Sequence, residues 1–567
     1  MKILSLHVDY INFRPLKKAL KKIEELPEKE KQGQKVGESL VILTAIEKGD
    51  SAKESVPALV ENIEDIANQV KAKSIVLYPY AHLSSNLAPP EIAEEIFGEA
   101  ERELKKKFKV IRAPFGYYKE FELKVKGHPL SELSREIKSY GKEKEPEEKI
   151  DTKNILRTIG KNVLDRSKLK ENDHRIIGQE MELFTFSDVA PGSVFWHNNG
   201  LIVYNELIKF MREELRKEEY TEVKTPEILD KRLWLLSGHW EKYRENIFLS
   251  KYENRDFAAK PMNCPGGLIL FRSRPKSYKD LPLRVAEFGI VHRQELSGVL
   301  SGLFRVIEFT QDDAHIFCTE DQVESEVLRL MNLMRRIYDK FGFEYAMEFS
   351  TRPQKRIGTD EMWTKAEKHL KNVLNKNKVK YEIKKGEGAF YGPKIDFHIK
   401  DSLGRTWQCG TIQVDFSMPE RFELEYIDRD NSRKRPVMLH RAIFGSLERF
   451  IGILLEHTNG RLPTWLAPTQ VRILSFTDRN EPHARKVIKK LGELVPGIRM
   501  DADFRSIPIP TKVKDAELAK IPYIIVIGDK EEKQKTVAVR VKGDKKIKTM
   551  KTEKFVKSLN KEIYEKI

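Results

Sequence analysis

Cysteine is scarce. The 567 residues hold only Cys264, Cys318 and Cys409, too few and too scattered for a disulfide framework, so the chain suits a reducing compartment. Long apolar runs are missing as well. The opening MKILSLHVDY has no charged stretch followed by an apolar core, and no segment approaches the roughly 20 apolar residues that a bilayer-spanning helix needs. A cytoplasmic protein with no membrane partner is expected. Internal repeats, low-complexity tracts and basic tracts interleaved with aromatic residues do not stand out. Charge alone therefore leaves two readings of the net +16: a basic, well-solvated surface, or a polyanionic partner such as nucleic acid, whose condensed counterions Lys and Arg displace.

What is present is length and a mixed composition. A chain of 567 residues, 34% charged and 40% hydrophobic, exceeds what one hydrophobic core usually supports and predicts three or four domains. Residues 1–137 alternate β-rich runs (Lys2 to Val8, Ser39 to Ile46, Ser74 to Tyr78) with helical patterns (Val56 to Val70, Glu91 to Lys107), as in a compact α/β domain. The run Lys138 to Lys149 is dominated by Lys, Glu and Pro and cannot bury a core, so 138–179 reads as a linker region. Residues 180–466 carry long amphipathic helices (Gly200 to Glu219, Glu320 to Lys340) and short strands. Residues 467–567 repeat strand and helix in the order VRILSF, Glu481 to Leu494, IRMDADF, Lys512 to Ala519, YIIVIGD and TVAVRV, which predicts a mixed α/β domain. The fold class expected is therefore a multidomain combination of α/β and α+β.

Two segments carry candidate chemistry. In Arg284-Val-Ala-Glu-Phe-Gly-Ile-Val-His-Arg-Gln-Glu an apolar strand leads into His292-Arg293-Gln294-Glu295, followed by a Gly-containing turn and a second strand, Phe304 to Asp312. An arginine at such a strand end can fork onto a phosphate; a surface hairpin with paired charges is the plainer alternative. A second arginine answers it: His440-Arg-Ala-Ile-Phe-Gly-Ser-Leu-Glu448-Arg449-Phe joins a strand to a helix.

With Arg293, these residues resemble motifs 2 and 3 of the class II aminoacyl-tRNA synthetases, and the helix ending at Glu219 with the following strand TEVKTPEI, which carries Pro226, resembles motif 1. The resemblance implies that Arg293 holds the α-phosphate of ATP, that Arg449 holds its γ-phosphate, and that the protein is a homodimer using Mg²⁺. Lys260-Pro-Met-Asn-Cys264-Pro-Gly, Thr310-Gln311-Asp-Asp313-Ala-His315, Gly386-Glu-Gly-Ala-Phe-Tyr391-Gly-Pro-Lys394, Gln408-Cys-Gly-Thr-Ile-Gln413 and Val437-Met-Leu-His440 look like the threonyl-tRNA synthetase family. That likeness implies one Zn²⁺ on Cys264, His315 and His440, catalytic roles for Gln311 and Lys394, and substrate contacts from Asp313, Tyr391, Gln413, Gln408 and Glu295. Cys and His are suitable borderline-soft donors, and three protein ligands leave the metal open. Cys318, three residues after His315, is the rival ligand. An open metal that takes a hydroxyl would reject valine. Serine lacks only a methyl group, worth roughly 1–3 kcal/mol, so a second, hydrolytic site is expected.

Residues 1–137 resemble the archaeal editing domain of that family, which shares its fold with D-aminoacyl-tRNA deacylases, on Tyr78-Pro-Tyr-Ala-His82-Leu-Ser-Ser, Ala113-Pro-Phe-Gly-Tyr117-Tyr118-Lys119 and Gly127-His128-Pro-Leu-Ser-Glu132-Leu. The likeness implies deacylation of Ser-tRNA by His82, Tyr118, Lys119 and Glu132. The zinc-like His/Cys editing domain of bacterial relatives has no counterpart here. The C-terminal part resembles the class IIa anticodon-binding domain, with Glu531 and Arg540 on a strand pair implied as base contacts; an exposed cross-strand ion pair is the alternative. The implied activity is ligation of threonine to tRNA(Thr). The rivals are a non-catalytic RNA-binding paralogue and a protein in which only the first domain acts.

Overall fold

Strand β1, Lys2–Lys18, organises the first part of the molecule. It is seen in a computed structural model that describes all residues except 21, 22, 24, 85, 138–151, 153–155, 157, 158, 160–163, 254, 545 and 567. The N-terminal half of β1 pairs with β3 (Ser39–Ala45) and β7 (Glu132–Glu136), and its C-terminal half with β2 (Gln34–Val36) and β6 (Tyr117–Val125). The strand outruns the expected Lys2 to Val8 because β6 pairs along its second half, with a register shift between Pro15 and Lys17 where proline has no N–H to give. Parallel strands β4 (Ser74–Pro79) and β5 (Lys109–Arg112) complete the sheet.

Helices α1 (Ala52–Val70) and α2 (Pro90–Leu104) cover one face. Val56, Leu59, Ile63 and Ile66 on α1, and Ala93, Ile96, Phe97 and Ala100 on α2, recur at helical spacing and are buried with Leu40, Ile42, Ile75 and Leu77. Alternate residues Val41, Leu43, Val76 and Tyr78 join Val8, Ile11 and Phe13 on the other face, as period-two strands require.

Contacts divide the chain into Met1–Ile155 and Leu156–Ile567. The charged run Lys138 to Lys149, read as a linker, lies outside the described residues. In the second unit the main sheet contains β8 (Thr221–Glu222), β9 (Leu283–His292), β10 (Glu308–Cys318), β11 (Glu344–Ser350), β12 (Glu382–Lys384), β13 (Lys394–Lys400), β14 (Thr406–Asp415) and β15 (Val437–Ala442), in the order β8-β9-β10-β15-β14-β13-β11-β12. The six central strands are antiparallel; the edge pairs β8·β9 and β11·β12 are parallel. Helices α3 (Asn198–Lys217), α4 (Val323–Phe341) and α5 (Leu447–Thr458) contribute buried faces to the large core of this unit.

A second sheet follows, with β16 (Val471–Ser475) and β18 (Tyr523–Ile527) parallel to each other, β17 (Met500–Asp503) parallel to β16, and β19 (Thr536–Val541) and β20 (Ile547–Lys551) added antiparallel. One expectation changes here: the end of YIIVIGD and the residues after it form a short helix, Asp529–Gln534, rather than more strand. Asp529, Glu531 and Glu532 crowd its first turn, where the helix dipole favours acids. Among the described residues no helix is long and apolar enough to cross a membrane.

Candidate active site

The register of the main sheet assembles the site. His315 on β10 is opposite His440 on β15, His440 is opposite Gln413 on β14, and Gln413 is opposite Lys394 on β13. Cross-strand partners share a face, so one row of four strands presents all four side chains together. Gln311 and Asp313 stand on the same face of β10 by alternation. A cavity of about 480 Å³ lies over this face, lined by Cys264, Arg293, Glu295, Gln311, Asp313, His315, Tyr391, Gln408, Gln413, His440 and Arg449 among others. Lys394 does not line it; its ammonium sits 2.8 Å from the buried Asp396 carboxylate.

Cys264 comes from outside the sheet, at the start of helix Cys264–Arg272. A Cβ on Gly267 would stand 3.3 Å from His315 Nδ1, so glycine lets this helix close on the histidine. Ligand atoms of Cys264, His315 and His440 all lie within 4.8 Å of one another, and all three residues are buried. His440 Nε2 donates to Asp415 Oδ2 at 3.0 Å, while Asp415 Oδ1 accepts the backbone N–H groups of Ser417 and Met418 at 2.7 and 2.9 Å. That anchor leaves Nδ1 of His440 as the free lone pair. His315 Nε2 is buried without a hydrogen-bond partner among the described residues. Burial pushes the His315 imidazole down to about 4 and, with Asp313 and Asp415, pushes the Cys264 thiol well up. A neutral His315 imidazole, a thiol that a metal would deprotonate, and an orphaned ring nitrogen fit Zn²⁺. Cys318 points away: three residues from His315 on one strand, it is buried in the core behind the sheet.

The two arginines flank the cavity. Arg293 donates through Nε to the Pro261 carbonyl at 3.1 Å, and its guanidinium lies 5.1 Å from the Phe309 ring centroid. Arg449 donates through Nε to the Phe304 carbonyl at 2.9 Å and through Nη1 to the Gln408 carbonyl at 3.2 Å; burial lowers its pKa. Among the described residues neither forms an ion pair, so two fixed positive charges face the cavity. Tyr391 donates to Gln413 Oε1 at 2.6 Å, Asn263 donates to Asp313 Oδ2 at 3.2 Å, Gln408 donates to Asp396 at 2.7 Å, and Arg305 donates to Glu295 at 3.0 Å.

Two buried carboxylates that sequence inspection passed over hold this arrangement. Asp312 on β10 accepts the N–H groups of Ile443, Phe444 and Gly445 at 2.9, 3.0 and 3.1 Å, shaping the turn that starts α5. Glu448 on α5 reaches back, accepting the Thr310 N–H with both oxygens at 3.1 Å. Ser446 caps the helix by accepting the Arg449 N–H at 3.0 Å and donates to Glu448 at 3.2 Å. Gly445 has φ +77°, and a Cβ there would meet the Cys409 carbonyl at 2.6 Å, so only glycine fits. Burial pushes Asp312 up to about 6 and Glu448 up to about 8. His239 was also missed: fully buried, its Nε2 lies 4.0 Å from Cys264 Sγ, and burial, then His440 and Arg293, push it down to about 3.

In the N-terminal unit the expected editing residues separate. The His82 and Tyr80 rings meet at 5.4 Å, Tyr80 and Tyr78 at 6.3 Å, and the Lys119 ammonium lies 5.1 Å from the Tyr78 ring. Lys119 donates to the Pro114 and Tyr117 carbonyls at 2.8 and 3.1 Å, and burial pushes it down to about 8. Tyr118 immediately precedes Lys119 on the same strand, so it points to the other face, exposed beside the Lys17 ammonium. Glu132 pairs with Leu6 on β1 but Lys119 pairs with Pro15. The stretch between those partners is roughly 30 Å at about 3.3 Å per residue, and within one chain Glu132 is not brought to Lys119. Near the C-terminus, Arg540 lies on β19 in an ion pair with Glu517. Glu531 lies in the short helix instead of on the expected strand pair, accepting the Gly528 N–H at 3.1 Å.

An antiparallel sheet carrying two unpaired arginines over one cavity defines a class II aminoacyl-tRNA synthetase core. Residues 248–458 match the tRNA synthetase class II core domain (G, H, P, S and T), residues 1–137 the archaea-specific editing domain of threonyl-tRNA synthetase, and residues 470–562 an anticodon binding domain. The RNA binding domain of threonyl-tRNA synthetase from Cryptosporidium parvum superposes with TM-score 0.66 at 41% identity, over 68% of this chain and 97% of that one. The threonine–tRNA ligases of Clostridium tetani and Acetivibrio thermocellus are 50% and 52% identical, over 70% and 68% of this chain and 62% and 61% of theirs. The chain belongs to the threonyl-tRNA synthetase family. It spans about three fifths of the length of those curated relatives.

Proposed function

We propose that this chain ligates threonine to tRNA(Thr) and that its N-terminal domain hydrolyses Ser-tRNA(Thr). The observation that carries the reading is the buried Cys264, His315 and His440 group at the floor of the cavity that Arg293 and Arg449 flank. Arg293 holds the α-phosphate of Mg²⁺-bound ATP while a carboxylate oxygen of threonine attacks it, Arg449 holds the γ-phosphate, and pyrophosphate leaves. A terminal ribose hydroxyl of the tRNA then attacks the acyl carbon and AMP leaves. Zn²⁺ on the three side chains would supply an open coordination position for the amino and hydroxyl groups of threonine. Asp313 accepts a hydrogen bond from the substrate, and Gln311, Tyr391 and Gln413 close the pocket around it. Gln408 and Glu295 line the nucleotide side, and Lys394, one strand beyond Gln413 on the same face, supports that wall through Asp396.

Serine retains the hydroxyl, so discrimination falls to the N-terminal domain, where His82 and Lys119 act from one aromatic-lined face and Tyr118 and Glu132 contact the RNA end from other positions. Glu531 and Arg540 contact the anticodon, motif 1 makes the protein a homodimer, and the tRNA substrate places the activity in the cytoplasm. The test is ATP–pyrophosphate exchange with threonine, serine and valine, before and after zinc is stripped and restored, with bound metal assayed in parallel. Exchange with threonine, less with serine, none with valine and loss on stripping is the expected pattern. No exchange in metal-replete protein would favour an RNA-binding paralogue.

A further inference from the structure

Beside the cavity lies a second depression of about 430 Å³ that the chemistry above does not use, lined by Lys231, Trp240, Arg244, Lys251 and Asp256 among others. Two cations are gathered on one indole: the Lys231 ammonium lies 4.6 Å and the Arg244 guanidinium 5.1 Å from the Trp240 ring centroid. Among the described residues Asp256 is the one carboxylate lining the depression, and it pairs with Lys231 at 3.0 Å. Among the described residues Arg244 and Lys251 have no carboxylate partner, and both are exposed.

The depression adjoins the cavity through the chain itself. Tyr243 lines the cavity and Arg244, the next residue, lines the depression. The connection is tied to the loop that carries Arg293, since Asn246 Nδ2 donates to the Gln294 carbonyl at 3.0 Å and the Gln294 N–H donates to the Asn246 carbonyl at 3.0 Å. Cations clustered on an aromatic ring at the mouth of a reaction cavity suit a strand of phosphodiesters with stackable bases. The net charge of +16 favours the same class of partner.

We infer that the depression around Trp240 takes the single-stranded 3′ end of the tRNA, with Arg244 and Lys251 on its phosphates, immediately before the terminal nucleotide enters the cavity. This rests on the reading of the chain as a tRNA-charging enzyme. Trp240 helps hold the cations in place through its ring, and Lys231, neutralised by Asp256, contributes packing rather than free charge.

The experiment compares the full-length protein with Arg244→Gln, Lys251→Gln and the double variant. Threonine-dependent ATP–pyrophosphate exchange needs no tRNA, and it stays within twofold of wild type in each, which shows the fold and the cavity intact. The KM for a tRNA(Thr) transcript rises on the order of tenfold in the double variant, about threefold for each exposed charge contact. The slope of log affinity against log salt falls by about 1.4, close to 0.7 for each single-strand phosphate released. A transcript lacking its four 3′-terminal nucleotides binds wild type and variants equally. An unchanged KM and salt slope would overturn the proposal, and so would an equal loss with the truncated transcript, which would put the contact elsewhere on the tRNA or leave a surface for an acidic protein. Absence of exchange in the wild-type protein would instead strike the activity reading on which the proposal rests.

Discussion

Replacing Glu448 by Gln should change the pH dependence of stability more than stability itself. Burial pushes the carboxyl up to about 8, outweighing the hydrogen bonds from Thr310 and Ser446 that favour its charge. Near pH 7 the folded protein therefore holds Glu448 mostly protonated while the unfolded chain holds it ionised. A folded value above the ordinary one means that the contribution is complete at acid pH and is lost as pH rises through 8. Each pH unit over which only the folded chain keeps this proton costs about 1.4 kcal/mol. From pH 6 to pH 8 the total is about 2 kcal/mol once partial ionisation near 8 is included. Glutamine keeps an oxygen for the Thr310 N–H and cannot ionise, so the variant should gain about 2 kcal/mol on wild type across that interval. Lys119 and Lys542, both pushed down to about 8 by burial, titrate in both proteins and cancel in the difference. Urea unfolding followed by tryptophan fluorescence measures it, because all six tryptophans lie between Trp196 and Trp465. Parallel pH profiles for the two proteins would show that Glu448 is ionised in the fold and that the reasoning from burial is wrong.

Two further outcomes follow from the same structure. Asp415→Asn loosens the orientation of His440 and should weaken zinc retention by about 10–100-fold in chelator competition; unchanged retention would mean that His440 is held without its carboxylate. Lys119→Met should leave threonine exchange intact and let Ser-tRNA(Thr) accumulate. In wild type the enzyme-dependent part of serine clearance should fall as pH rises through 8, where Lys119 loses its charge, and a flat profile would remove the ammonium from the chemistry.

The arginines were legible because each sits in a contiguous strand-and-turn phrase. The proposed metal ligands were indicated only by family likeness, since they are far apart in sequence: sheet register brings His315 to His440, and a helix outside the sheet brings Cys264. One local signal did bear on the rival: residues three apart on a strand face opposite ways, which is why Cys318 is buried behind the sheet. Asp312, Asp415 and Glu448 went unread because a carboxylate among apolar residues looks the same whether it faces water or anchors a turn. Glu531 was misplaced because the strand YIIVI runs directly into the acidic first turn of a helix. Glu132 and Lys119 belong to neighbouring phrases, and nothing in those phrases told that they pair with opposite ends of one long strand.

The row His315, His440, Gln413 and Lys394 makes the site a matter of phase. The connections between those strands, which include whole helices, touch none of these side chains' alignment and are free to lengthen or shorten as other demands require. A single residue inserted within β10, β14 or β15 would instead turn that strand's member of the row to the opposite side of the sheet, taking a residue of the proposed metal group or pocket wall out of the cavity in one step. Change in such a protein is therefore cheap in its joints and prohibitive in its rungs.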